Sequence, residues 1–279
     1  MERSEKIKIA IISAYIGNGG TSGDLKFTPQ AKAELADYEV DVYYFNDKNI
    51  DVLNPFFEPT ISRDEVVNES WKFKILSKIY SFRYKQSVYP SEKDNYTRLI
   101  AKIPKILFYK VVPQKYDYYI WLDSKFTIEE HWLKYILWLL NKYKGYDIVT
   151  SRHSERCSIK EEFDFMKTIM ESTDDSLYNS KIDLQKKYDL KTIWEQIYVY
   201  LNDIEFVDDM LYELTMIIYS KSMLDKQYFS EEWYAHNYYY SIQDQVSFPF
   251  LVKKHKINVC PVYQRVFDMP FAIHEYSWI

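Results

Sequence analysis

The residues with the most chemical promise sit in Tyr116-Asp117-Tyr118-Tyr119-Ile120-Trp121-Leu122-Asp123-Ser124-Lys125. Tyr118 to Leu122 is an unbroken apolar and aromatic run, the pattern of a strand covered on both faces, and it stops at a carboxylate. Open α/β sheets bind ligands beyond the carboxyl ends of their strands, so Asp123 is placed to hold a divalent cation on a diphosphate. A plainer alternative stands beside this one: Asp123 starts a turn or caps the following helix. Glu213 lies early in a second apolar run, Leu211 to Ser220, where a buried carboxylate needs a partner. It is either a site residue or a structural partner of Arg152 or Arg156. Asp244 stands at the start of a third apolar stretch, Val246 to Val252, and reads as a site candidate or as a helix N-cap.

Basic and glycine-rich segments accompany these carboxylates. Arg98, Lys102 and Lys105 recur at three- to four-residue spacing, which gathers them on one side of a helix beginning near Tyr96. Pro104 is expected to end or kink that helix. The basic face suits phosphate or simply solvent. Arg152-His153-Ser154-Glu155-Arg156-Cys157 packs two arginines and a histidine behind a short strand, Tyr146 to Thr150. Four of the chain's five glycines, Gly17, Gly19, Gly20 and Gly23, follow a first strand over Lys6 to Tyr15. Their spacing misses GxGxxG, since Ser22 stands where the last glycine belongs, and no GK[ST] makes a P-loop. The loop reads as the edge of a nucleotide pocket or as a flexible surface turn. Asn46-Asp47 closes a second strand, Glu39 to Phe45, and can bond a base or ribose hydroxyl or make a turn. In the tail, His274 is the one plausible late metal ligand; a lone histidine is more often on the surface.

The elements that must position these groups alternate. Strand, loop, strand, an irregular stretch over 50–90, helix, strand, the amphipathic helix Ile128 to Asn141, and strand point to an α/β sheet. Glu161 to Leu201 is charged and helical with no readable motif, and 163–205 reads as a helical insertion shaping an acceptor side. With 279 residues, the chain is long enough for a substantial core. The net charge of −5 argues against a nucleic-acid partner. Cys157 and Cys260 make no CxxC pair, as expected of a reducing compartment. The N-terminal apolar run lacks a signal-peptide cleavage pattern, and no run reaches the ~18–20 residues of a membrane span. A soluble, cytoplasmic protein is expected, with peripheral membrane contact left open. Tyrosine is frequent, with 28 copies, which suits clefts for polar ring-shaped ligands or reflects genomic bias.

In order along the chain, these segments resemble a nucleotide-sugar-dependent glycosyltransferase of the GT-A type, and most closely the DUF616 (TOD1/MUCI70-like) glycosyltransferase-like domain. The resemblance is carried by Gly17-Asn18, Tyr44-Phe45-Asn46-Asp47, Lys102 to Lys105, Tyr116-Asp117, and Trp121-Leu122-Asp123. It continues through His153, Arg156-Cys157, Glu161-Glu162, Leu211-Tyr212-Glu213 and Ser241-Ile242-Gln243-Asp244-Gln245-Val246-Ser247-Phe248. It implies a single Rossmann-like domain over 1–279 with a mostly parallel sheet flanked by helices, moving a sugar from a nucleotide diphosphate to a glycan-type acceptor. The donor-binding residues it implies are Ala14, Tyr15, Gly17, Asn46, Asp47, Arg98, Lys102, Trp121, Leu122, Lys125, Arg152, His153, Arg156 and Gln245. Asp244 and Glu213 would be catalytic, and Asp123 and His274 would hold Mn²⁺ or Mg²⁺. One departure stands out. Many GT-A enzymes carry Asp-x-Asp, whereas Lys125 fills the second position here, so a metal-independent enzyme using Lys125, Arg152 or Arg156 is also open. Two other classes compete: a nucleotidyltransferase or sugar-phosphate-modifying enzyme, and a non-catalytic carbohydrate-binding protein.

Overall fold

The structure is a computed structural model and describes residues 6–17, 26–35, 38–67, 71–84, 86, 88–124 and 127–263. The strands are β1 (Lys8–Tyr15), β2 (Lys26–Phe27), β3 (Glu39–Asn46), β4 (Tyr118–Leu122), β5 (Thr127–Ile128), β6 (Ile148–Arg152), β7 (Tyr212–Ser220) and β8 (Val259–Val262). The helices are α1 (Pro29–Glu34), α2 (Ile50–Leu53), α3 (Arg63–Val66), α4 (Trp71–Arg83), α5 (Glu92–Ile106), α6 (Phe108–Val111), α7 (Glu130–Lys142), α8 (Ile159–Glu171), α9 (Tyr178–Lys187), α10 (Leu190–Leu201), α11 (Gln227–Tyr239) and α12 (Asp244–Lys254).

The fold is α/β with a mostly parallel sheet flanked by helices, as expected. Six strands form the main sheet in the order β3-β1-β4-β7-β6-β8. β1 pairs in parallel with β3 and β4, and β6 with β8; β7 alone runs against its neighbours β4 and β6. Alternation along each strand feeds two cores, as the period of two requires. Ala10 and Ile12 of β1, Tyr119 and Trp121 of β4, and Tyr219 of β7 pack under α5 and the helices α8 to α12. Ile9, Ile11, Ile120, Leu122 and Ile218 face the opposite layer, where Leu133, Ile136 and Leu140 of α7 cover them.

Several local expectations change. Residues 50–90 contain a 13-residue helix, α4, rather than only short irregular pieces. Pro104 lies inside α5, which continues to Ile106. Proline in a helix removes one N–H, but its apolar ring is buried here among Ile100, Ile103 and Ile106.

The ladder between β6 and β7 breaks its register. Thr150 is opposite Ile217, but the next residue, Ser151, is opposite Glu213. Residues 214–216 therefore have no partner on β6. This bulge resets the alternation, so Leu214 and Ile217 point into the same core. The Thr150 hydroxyl lies 2.7 Å from the Met216 carbonyl oxygen and 3.1 Å from that of Glu213, clasping both ends of the bulge.

Candidate active site

β4 delivers Asp123 to the carboxyl edge of the sheet. Its backbone N–H donates to the Thr215 carbonyl in the β7 bulge at 3.0 Å. Its Oδ1 accepts a hydrogen bond from Trp121 Nε1 at 3.0 Å. The cap of the next helix is Glu129, not Asp123, so the capping alternative fails. Asp123 is half-buried and lines two adjoining cavities.

The larger cavity, 520 Å³, is bounded by Ala14 at the end of β1, by Arg98, Ala101, Lys102 and Lys105 on α5, and by Trp121, Asp123 and Ser124. Lys187, Tyr188 and Ile242 close its far side. The second, 350 Å³, shares Lys102, Lys105, Asp123 and Tyr188 and adds His153, Glu213, Thr215, Gln243, Asp244 and Gln245. Carboxylates from three elements and amines from α5 and α9 thus meet at a single sheet edge, where α/β proteins place ligands.

The amines reach this edge because α5 is amphipathic. Ser91 caps it by accepting from the Asp94 N–H, and Leu99, Ile100, Ile103 and Ile106 bury one stripe. Lys102 and Lys105 project from the adjoining stripe, and each places Nζ 2.6 Å from Asp244 Oδ2. Lys105 is itself buried and lies 5.7 Å from the Trp121 ring centroid. Burial would raise the Asp244 pKa, but the charges of Lys102 and Lys105 outweigh it and hold the carboxyl at about 2. Burial pulls Lys102 down, against the attraction of Asp244.

That geometry revises the part expected of Asp244. Gln243 occupies the N-cap position of α12 and Asp244 the first helical position, with its carboxylate turned to the lysines. A carboxylate held that acidic is a weak proton acceptor near neutral pH. Its ionised oxygens are instead suited to accept hydrogen bonds from ligand hydroxyls.

The Arg152–Arg156 loop is also corrected. Neither arginine lines the two cavities. Arg152 Nη2 contacts Cys157 Sγ at 3.1 Å. Arg156 Nε donates to Glu162 Oε2 at 2.5 Å, and its guanidinium stacks 4.1 Å from the Phe165 centroid. Glu162 Oε1 in turn accepts from Gln243 Nε2 at 3.0 Å. Through Arg156 and Glu162 the loop braces the residue before Asp244. His153 does reach the cavity, with Nε2 2.8 Å from Arg156 Nη2. Arg156 pairs with Glu162 and Glu155.

Other expected positions divide. Ala14, Arg98, Lys102, Trp121, Asp123, His153, Glu213, Asp244 and Gln245 all line one cavity or the other. Leu122 points into the α7 core instead. Tyr15 lines neither cavity. Asn46 and Asp47 shape the chain beside β1: Asn46 caps the turn that follows it, and Asp47 Oδ1 accepts from the Gly17 N–H at 2.7 Å. Gly17 has φ +113°, and an added Cβ would come within 3.3 Å of Thr97 Cβ. Lys125, His274, Gly19, Gly20 and Gly23 lie outside the described residues. Lys187 and Tyr188 are site residues that sequence reasoning missed. They fall in the helical 163–205 segment, where no motif marks the last turn of α9 as facing a cavity.

A metal at Asp123 would be a hard cation on oxygen ligands. Among the described residues, no group of three or more His, Cys, Asp or Glu side chains gathers to hold one. Asp123 fits the sparser arrangement in which one or two carboxylates and substrate phosphates hold Mg²⁺.

A mostly parallel α/β sheet with a charged double cavity at its carboxyl edge defines a ligand-binding domain of the Rossmann-like kind. The profile of the TOD1/MUCI70 glycosyltransferase-like domain matches residues 65–270, and the chain belongs to that family. No curated protein matches the chain. Among solved structures, mouse xyloside xylosyltransferase 1 in its apo form is similar at 8% identity and TM-score 0.42, over 92% of this chain and 85% of that one.

Proposed function

We propose that the chain transfers a sugar from a nucleotide diphosphate donor to a hydroxyl acceptor. The observation that carries this reading is the joining of Asp123, Lys102, Lys105 and Asp244 in one double cavity, within a glycosyltransferase-like domain. The nucleotide lies toward Ala14 in the larger cavity. Its diphosphate faces Lys102, Lys105 and Arg98, whose positive charge offsets the charge that builds on the leaving group. The donor sugar lies in the smaller cavity, with its hydroxyls on the ionised Asp244 and on Gln245. A Mg²⁺ or Mn²⁺ ion held by Asp123 would supply further neutralisation of the diphosphate. We assign the acceptor proton to Glu213, which lines the smaller cavity with Asp123.

The test is a panel of nucleotide sugars, with and without Mn²⁺, read by thermal shift and by slow release of free nucleotide. A donor that raises the melting temperature and is hydrolysed in a manner dependent on Asp123 supports the reading. Indifference to every nucleotide and nucleotide sugar would overturn it. Binding of sugars alone, unaffected by loss of Asp123, would favour a carbohydrate-binding protein.

A further inference from the structure

A third cavity, 310 Å³, opens beside the larger one and shares Lys187, Tyr188 and Ile242 with it. We propose that this groove, walled by Tyr89, Tyr188, Tyr238 and Tyr240, is the binding site for a neutral oligosaccharide acceptor. The inference rests on the transferase reading and adds the place and chemical class of the second substrate.

The volume lies at the lower end of the ~300–1,000 Å³ range of small-molecule sites. Three separate parts of the chain build it: the segment leading into α5, the α9–α10 junction, and the end of α11 with the turn after it. The lining combines tyrosine rings with the amide of Asn95 and the hydroxyls of Thr192 and Ser241. Such a surface matches a pyranose or furanose, which offers an apolar C–H face to an aromatic ring and hydroxyls at its rim.

Charge decides which glycans fit. The two ionisable side chains of opposite sign in this lining, Lys187 and Asp189, are both committed. Lys187 pairs with Asp183 across one helical turn. Asp189 caps α10, accepting from the Lys191 and Thr192 N–H groups and from the Thr192 hydroxyl. With Asp183 and Asp189 beside Lys187, the described lining carries no net positive charge to draw an anionic glycan or a second phosphate. Neutral hydroxyls, by contrast, find neutral partners along the wall.

Placement completes the argument. Tyr188 belongs to all three cavities, so it stands between the groove and the Asp123 edge. Arg98 steadies it, with its guanidinium carbon 5.7 Å from the ring centroid. A chain lying in the groove would lead its terminal residue past Tyr188 toward the donor. Tyr89 is 55% exposed at the outer end, where longer acceptors would leave the protein.

The experiment uses the full chain and neutral pentose and hexose oligosaccharides, alongside uronate-bearing ones, in ligand-observed NMR titrations without any donor. The expected result is binding of at least one neutral series, weakened about ten-fold by Tyr238→Ala and by the exposed Tyr89→Ala, as loss of an aromatic platform implies. The thermal shift produced by the donor should stay unchanged in both variants. Preference for uronate-bearing chains, absence of glycan binding by the wild type, or unchanged glycan affinity in both variants would overturn the proposal. Loss of the donor shift in Tyr238→Ala would do so too, by marking the groove as a nucleotide subsite. Failure of every nucleotide sugar, with neutral glycans still bound, would instead sink the transferase reading and leave the groove standing.

Discussion

Asp244 shows how a side chain can be charged at every working pH and still be a poor base. Its depressed pKa contributes stability that is present above the unfolded carboxyl value near ~3.9 and is lost as pH falls through about 2. Wild-type stability should therefore decline between roughly pH 4 and pH 2, and Asp244→Asn should lack that part of the decline. Urea unfolding across the acid range checks it. The same variant leaves the buried Lys105 and the half-buried Lys102 without their carboxylate, so it should lose about 3 kcal/mol at neutral pH. Asp123→Ala should behave differently: donor turnover is abolished, while the melting temperature moves little, because the lost contact is one hydrogen bond from Trp121. The Asp123 position was legible in sequence because a buried strand ended in a carboxylate. The pairing of Asp244 with α5 was not, because the residues lie far apart in the chain and meet only once the sheet forms. The surroundings of the Arg152–Arg156 loop were hidden too, since Arg156 meets Glu162 only in the folded chain.

At the level of elements, apolar runs identified β1, β3, β4, β6 and β7 to within a residue or two, since the sheet is covered on both faces. Proline was a poorer guide. Pro104 sits inside α5 because tertiary packing of the apolar stripe outweighs the missing N–H. The bulge in β7 left no mark that a period of two could reveal. Thr150 is its clasp, buried at 0% exposure. Thr150→Val keeps the shape but leaves the Glu213 and Met216 carbonyls short of a donor, at a cost of about 1–3 kcal/mol. Turnover should fall with donor affinity largely kept, because the carboxylate of Glu213 is carried on the loosened segment. Steady-state kinetics beside donor thermal shifts separates the two effects. Gly17→Ala tests the other side of the site. A residue with a side chain is strained at φ +113° and must displace Thr97, so donor affinity should drop along with about 1–3 kcal/mol of stability.

Across the whole molecule, the sheet separates what stabilises from what reacts. At the edge opposite the cavities, Asp147 gathers the chain: it accepts from the Ser222 hydroxyl at 2.6 Å, from the Asn258 N–H at 2.8 Å and from Lys226. Burial works to raise its pKa, but these partners bring the net shift below the ordinary carboxylate range. Asp147→Ala should lower the melting temperature by several degrees while activity per folded molecule is kept, as paired thermal and kinetic measurements would show. The bulge of β7 has a further consequence. Between Thr150 and Ser151 one strand takes a single step while the other takes four, from Ile217 to Glu213. The slack faces β6 only, because β4 holds the same stretch through the Leu122–Met216 pair and the Asp123 N–H on the Thr215 carbonyl. Trimming a residue from 214–216 would shift Glu213 relative to Asp123 only by breaking that hold, so the length of the bulge sets the spacing of the two carboxylates.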